Sequence, residues 1–192
     1  MTALWTPGVL PPPDREMILR FARGGHTPQL DALLNEVIGQ GSAALDPRLC
    51  YADLPLTLEG ERVALGGLPV PGRDLAAHLK GCRRAVLFAA TVGAGADRLI
   101  TRAERTSPAR ALLLDAFFSE RVEALCDAFC AQYNDPRRRF SPGYGDLPLS
   151  FQREVFRLLD CPRMIGLTLG ETLLMMPTKS VTAIVGVKED DR

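Results

Sequence analysis

Ala85-Val-Leu-Phe-Ala-Ala-Thr-Val92 is an unbroken apolar run of strand length, and its reading decides the fold. A strand with one wet face alternates apolar and polar side chains, whereas a run without alternation is covered on both faces. The run therefore predicts a central strand packed on each side. Downstream, Gly93-Ala-Gly-Ala96 turns into a helix through Arg98, Leu99 and Ile100. Ser107-Pro108 then combines a capping side chain with a first-turn proline. It opens a long helix whose apolar positions, from Leu112 and Phe117 to Leu125 and Phe129, hold helical spacing to about Tyr133 and form the spine of the core.

Upstream, Cys50 to Val70 is broken by Glu59-Gly-Glu-Arg62 and Gly66-Gly67, the grammar of two or three short strands. Arg73 to Lys80 reads as a brief helix closed by Gly81. Thr27-Pro28 starts a helix bearing Leu30, Leu34, Val37 and Ile38 that is expected to end near Gly39 or Gly41. Asp14 caps a short helix over about Arg15 to Ala22, and residues 1–13, with Pro11-Pro-Pro13, read as an extended lead-in. After the spine come a turn at Asn134-Asp-Pro136, the segment Arg139 to Leu149, a helix over Phe151 to Leu159, and strands near Ile165 to Leu169 and Ser180 to Val187. Helices and strands interleave without regular βαβ alternation. The class expected is α+β, a mixed, mainly antiparallel sheet with helices on one main side, in a single domain over residues 1–192.

Composition narrows the functions. Basic and acidic residues balance at 23 each, which argues against a nucleic-acid track or a polybasic membrane anchor. No apolar segment approaches the roughly 20 residues that cross a bilayer, and the N-terminus lacks a basic stretch followed by an apolar run. A cytoplasmic protein is expected. The cysteines (Cys50, Cys82, Cys126, Cys130 and Cys161) are odd in number and lie in apolar segments, as buried reduced thiols do.

Several constellations can be weighed. Gly93-Ala-Gly95 between strand and helix suits a phosphate, but the third glycine of a dinucleotide fingerprint would fall at Arg98, so a tight turn explains it better. His78-x-x-Gly81 resembles the corrinoid-binding Asp-x-His-x-x-Gly motif, but Asp74 stands four residues before the histidine instead of two, so a capped helix end explains it better than a cobalt ligand. Cys126 and Cys130 share a helix face, but no second pair is spaced to complete a metal site. Gly-x-Ser-x-Gly is absent, which disfavours hydrolase chemistry. There remains Arg137-Arg-Arg-Phe-Ser-Pro-Gly-Tyr-Gly-Asp-Leu-Pro-Leu149, whose bland reading is a surface loop. Its glycines admit a close ligand, its prolines fix the path, Arg139 suits a carboxylate, Tyr144 suits stacking, and Asp146 suits an amine or sulfonium.

Arg139-x-x-x-Gly143-Tyr144 resembles the Arg-x-x-x-Gly-Tyr motif of the activation (reactivation) domain of cobalamin-dependent methionine synthase, which binds S-adenosylmethionine. Ile165-Gly-Leu-Thr-Leu-Gly-Glu-Thr-Leu-Leu-Met-Met-Pro177 with Ser180-Val-Thr182 resembles a second stretch of that family, and the likeness runs from about Asp14 to Val187, as in its short stand-alone members. The fused enzyme's Tyr-Pro-Ala-Cys-Pro-Asp-His is replaced by Tyr144-Gly-Asp-Leu-Pro-Leu-Ser150, and an aromatic pair of the last strand by Ile184-Val185. The resemblance implies S-adenosylmethionine bound by Arg139, Ser141, Pro142, Gly143, Tyr144 and Glu171. Asp53 would stand for the acidic residue that holds the methionine amine. It implies reductive methylation of cob(II)alamin, with the corrinoid supplied by a separate methionine synthase subunit and the electron by a flavodoxin- or ferredoxin-type donor. Such a chain is one component of a methyltransferase of methionine biosynthesis, acting by positioning and without catalytic residues or a metal of its own. Reactivation of another corrinoid methyltransferase, and a scaffold that has lost its ligand, are the competing readings.

Overall fold

The computed structural model describes residues 1–188. In chain order the strands are β1 (Thr2–Trp5), β2 (Arg48–Glu59), β3 (Arg62–Leu65), β4 (Leu68–Val70), β5 (Arg84–Thr91), β6 (Thr168–Leu169), β7 (Met175–Met176) and β8 (Ser180–Val187). The helices are α1 (Arg15–Phe21), α2 (Pro28–Ala43), α3 (Arg73–His78), α4 (Gly95–Glu104), α5 (Pro108–Cys130), α6 (Gln152–Leu159) and α7 (Cys161–Ile165). The main sheet has six strands in the order β4-β3-β2-β5-β8, with β1 added beside β2, and β6 pairs with β7 separately. Every one of these pairings is antiparallel.

The apolar run occupies β5, between β2 and β8. Ala85, Leu87 and Ala89 enter a core shared with α3, α6 and α7, while Val86, Phe88 and Ala90 enter another beneath α5. The expectation of helices on one main side is corrected: helices cover both faces. Period-2 geometry sends successive side chains to opposite faces, so a fully apolar strand needs both covered. Helix α5 is itself wrapped by α1, α2 and α4 around Phe117, Phe118 and Leu114, consistent with a helix apolar on most sides.

Other departures have local causes. The lead-in is not merely extended: Thr2–Trp5 pairs with Leu49–Ala52, an edge that the twelve-residue β2 leaves open before β3 joins it further along. The segment after it is held by a buried pair, since Arg121 donates to the carbonyls of Pro11 (2.6 Å) and Pro12 (3.3 Å) while paired with Glu120. Helix α2 runs through both Gly39 and Gly41 to Ala43. Gly41 is a contact point, where an added Cβ would stand 2.4 Å from the ring of Phe117. The short α7, with Pro162 in its first turn, was not apparent from periodicity.

Helix-interior Gly→Ala ordinarily stabilises by up to about 1 kcal/mol. At Gly41 the fully buried Phe117 has nowhere to go, and overpacking of that kind costs about 1–3 kcal/mol. Gly41→Ala is therefore expected to lower the urea midpoint, and a gain in stability would show that α2 and α5 separate freely. His26, in the α1–α2 connection, lies 3.3 Å from Asp31 and 3.1 Å from Glu16. The hydrogen bond to Asp31 and the charge of Glu16 raise its pKa above 6.5. This clasp is complete below the unfolded-state pKa and is lost as pH rises through the folded value. Its NMR titration midpoint should lie above 6.5 and fall in Glu16→Gln.

Candidate functional site

The segment after α5 is fastened before it reaches the glycines. Arg137 donates its backbone N–H to Gly186 (2.8 Å), and Phe140 exchanges two backbone hydrogen bonds with Ile184 (2.9 and 2.8 Å) along the outer edge of β8. On the other side α3 grips it. His78 Nε2 bonds the carbonyl of Arg138 at 2.7 Å, and Arg137 donates to the carbonyl of Lys80 at 2.9 Å. The far end returns to the start of the same helix, where the Asp146 carboxylate accepts from the backbone N–H groups of Arg73 (2.7 Å) and Asp74 (3.2 Å). That assignment corrects the role expected for Asp146, which caps α3 because Gly72, the residue at the helical N-cap, has no side chain to do so. Gly145, at φ +51°, admits the contact: a Cβ there would meet Asp74 Oδ2 at 2.3 Å.

Between this loop, α5 and β8 lies a cavity of about 560 Å³. Arg139, Ser141, Pro142 and Tyr144 line it, joined by Met175 and Ser180 to Thr182 from the second motif. Two segments separated by a helical pair in sequence thus line one cavity. Gly143 is not among the lining residues; it makes a turn within the first segment, with φ +94° and an N–H donated to the carbonyl of Leu147 at 2.8 Å. Tyr144 stands exposed, its ring 6.2 Å from that of Phe140. Asp53 and Glu171 are not among the lining residues. Asp53 is ion-paired with Arg84 on β5, and Glu171 is exposed in the β6–β7 turn, its carbonyl accepting from Arg153 at 3.1 Å.

The acidic wall comes from α5. Arg139 pairs with Glu123 and, at 3.1 Å, with Asp127, and only about a fifth of its side chain is exposed. The guanidinium is therefore already held by two carboxylates, which the motif did not disclose. Glu123 and Asp127 stand four apart on a helix read only for its apolar stripe, and that spacing on one face was the available signal. Gln152, at the start of α6, also lines the cavity and was missed.

The remaining constellations are accounted for locally. Added Cβ atoms at Gly93 and Gly95 would meet Asp46 (2.8 Å) and Ala44 (2.3 Å), so both glycines serve close packing against the end of α2. Burial pushes the Cys130 thiol up to about 11 and that of Cys126 higher still, which keeps both protonated. Among the described residues no group of His, Cys, Asp or Glu is placed to hold a metal ion, and no helix is long and apolar enough to cross a membrane.

No family model and no curated protein sequence matches the chain. Among solved structures it is similar to the MetH reactivation domain bound to AdoHcy, with a TM-score of 0.61 and 16% identity over 85% of this chain. The match covers 66% of that domain's chain, so this protein spans just under two thirds of its neighbour's length. The fold is that of a methionine synthase reactivation domain, α+β with an antiparallel sheet.

Asp146→Ala is expected to cost about 1 kcal/mol, in the middle of the range for a lost N-cap, with Asp146→Asn costing less. Hydrogen exchange should speed up at Arg73 and Asp74 and along the 137–146 loop together; faster exchange in α3 alone would separate the loop's order from the cap.

Proposed function

We propose that this chain binds S-adenosylmethionine and serves as the reactivation subunit of a separate cobalamin-dependent methionine synthase. The observation that carries the reading is the convergence of the two motifs, Arg139 to Tyr144 and Met175 to Thr182, on one cavity. The likeness in fold to a reactivation domain bound to AdoHcy supports it. The lining also offers both signs of charge, Glu123 and Asp127 beside Arg137, Arg138 and Arg139, to a ligand that carries a sulfonium, an ammonium and a carboxylate. The ligand carboxylate would join Arg139 and the ammonium would join the acidic pair.

The chain's own residues then act by orientation. The Ser141 to Gly143 backbone, in a loop fastened to β8 through Arg137 and Phe140 and to α3 through Arg138 and Asp146, would hold the methionine end, and the exposed Tyr144 would meet the partner's corrinoid. His78 is spent on the carbonyl of Arg138 and is not offered as a cobalt ligand. When the partner docks, its reduced corrinoid supplies the nucleophile, with the electron from a flavodoxin- or ferredoxin-type donor. The scaffold reading is favoured by one observation, that Arg139 is already paired within the protein.

Calorimetric titration separates the two. Wild-type protein is expected to bind S-adenosylmethionine, and Arg139→Ala to bind about 10- to 100-fold more weakly, the range for a charged hydrogen bond. Absence of binding by the wild type, with the corrinoid partner present as well as alone, would leave the scaffold. Which purified corrinoid protein regains its methylcobalamin absorbance identifies the partner.

A further inference from the structure

Helix α6 buries Gln152, Val155, Phe156 and Leu159, the i, i+3, i+4, i+7 stripe of a core-facing helix. Its first member is an amide where that pattern calls for an aliphatic side chain. Gln152 is only 5% exposed, and its Oε1 is sealed from solvent without a hydrogen-bond partner. A buried acceptor left unsatisfied costs about 1–3 kcal/mol relative to an apolar group of the same shape. The residue lines the cavity that holds Arg139, and its Oε1 has no partner there.

The cavity has charged lining, Arg137, Arg138 and Arg139 with Glu123 and Asp127, and this neutral amide. A carboxamide offers an acceptor and a donor side by side. It is matched by a neutral heterocycle with an N–H donor beside a ring-nitrogen acceptor, as in the two-point pairing of glutamine with the N6 and N7 of adenine. Met175 and Tyr144, which also line the cavity, supply apolar and aromatic surface against which a flat ring can lie. Resting on the S-adenosylmethionine reading above, we propose that Gln152 turns about its side-chain torsions into the cavity and reads the 6-amino edge of the ligand's purine. It is a specificity-determining contact for the nucleoside end, where the loop after Tyr144 departs from the fused enzyme.

The test compares S-adenosylhomocysteine with its counterpart bearing oxygen in place of the purine 6-amino group, by calorimetry on the full chain. Wild type is expected to prefer the amino form by about 10- to 100-fold, the value of one good two-point pair. Gln152→Leu, and Gln152→Met as a second variant, should bind the two forms equally. Without ligand both variants should melt about 2–4 °C higher, because the unsatisfied oxygen is gone. Retention of the preference in the variants overturns the assignment, as does a lower melting temperature or loss of folding, either of which would make the amide structural. Wild type that binds neither compound overturns the proposed function and this contact with it, whereas wild type that binds both forms equally overturns the contact alone.

Discussion

Each residue of β5 commits to one of two cores, and the rest of the molecule follows from that constraint. Ala85, Leu87 and Ala89 require a layer on one face and Val86, Phe88 and Ala90 a layer on the other. A six-stranded sheet cannot be left bare on either side when its centre is apolar throughout. Burying that strand removes from water most of what its side chains present, at about 25 cal/mol per Å² of apolar surface, while its backbone groups are satisfied by β2 and β8. Helix α5 covers one face and in turn needs α1, α2 and α4; α6 and α7, with α3, cover the other. The cavity lies where β8, α5 and the segment that leaves α5 meet.

Much of this architecture was legible because hydrophobic period carries it. The unbroken run at Ala85 to Val92, the capped start at Ser107-Pro108 and the alternating breakers between Glu59 and Gly67 each report a local decision that packing then honours. What escaped was decided over distance. Thr2 to Trp5 carries no strand pattern of its own and pairs because β2 is long enough to offer a second partner on the same edge. Gly41 looks like a helix terminator until Phe117 is placed against it.

The site divides in the same manner. Arg139, Ser141, Pro142 and Tyr144 were visible as a motif, and they do line one cavity. Glu123, Asp127 and Gln152 were not, because each lies on a helix whose dominant signal is apolar and whose polar members gain meaning only from what faces them. Asp146 illustrates the converse error. A carboxylate in a glycine-rich loop invites a cationic ligand, yet the unsatisfied N–H groups of α3 claim it first. Asp53 was matched by chemistry alone, and Arg84 on the neighbouring strand holds it.

The attachment of residues 137–140 to β8 reaches beyond the ligand. The last strand of an open sheet is a template on which another chain can add, and proteins blunt such edges by covering them. Here the cover is the loop that carries Arg139, bonded to Ile184 and Gly186 along that edge. Opening the loop by more than its own contacts therefore bares a strand rich in valine, so the freedom available to this site is bounded by the need to keep molecules apart.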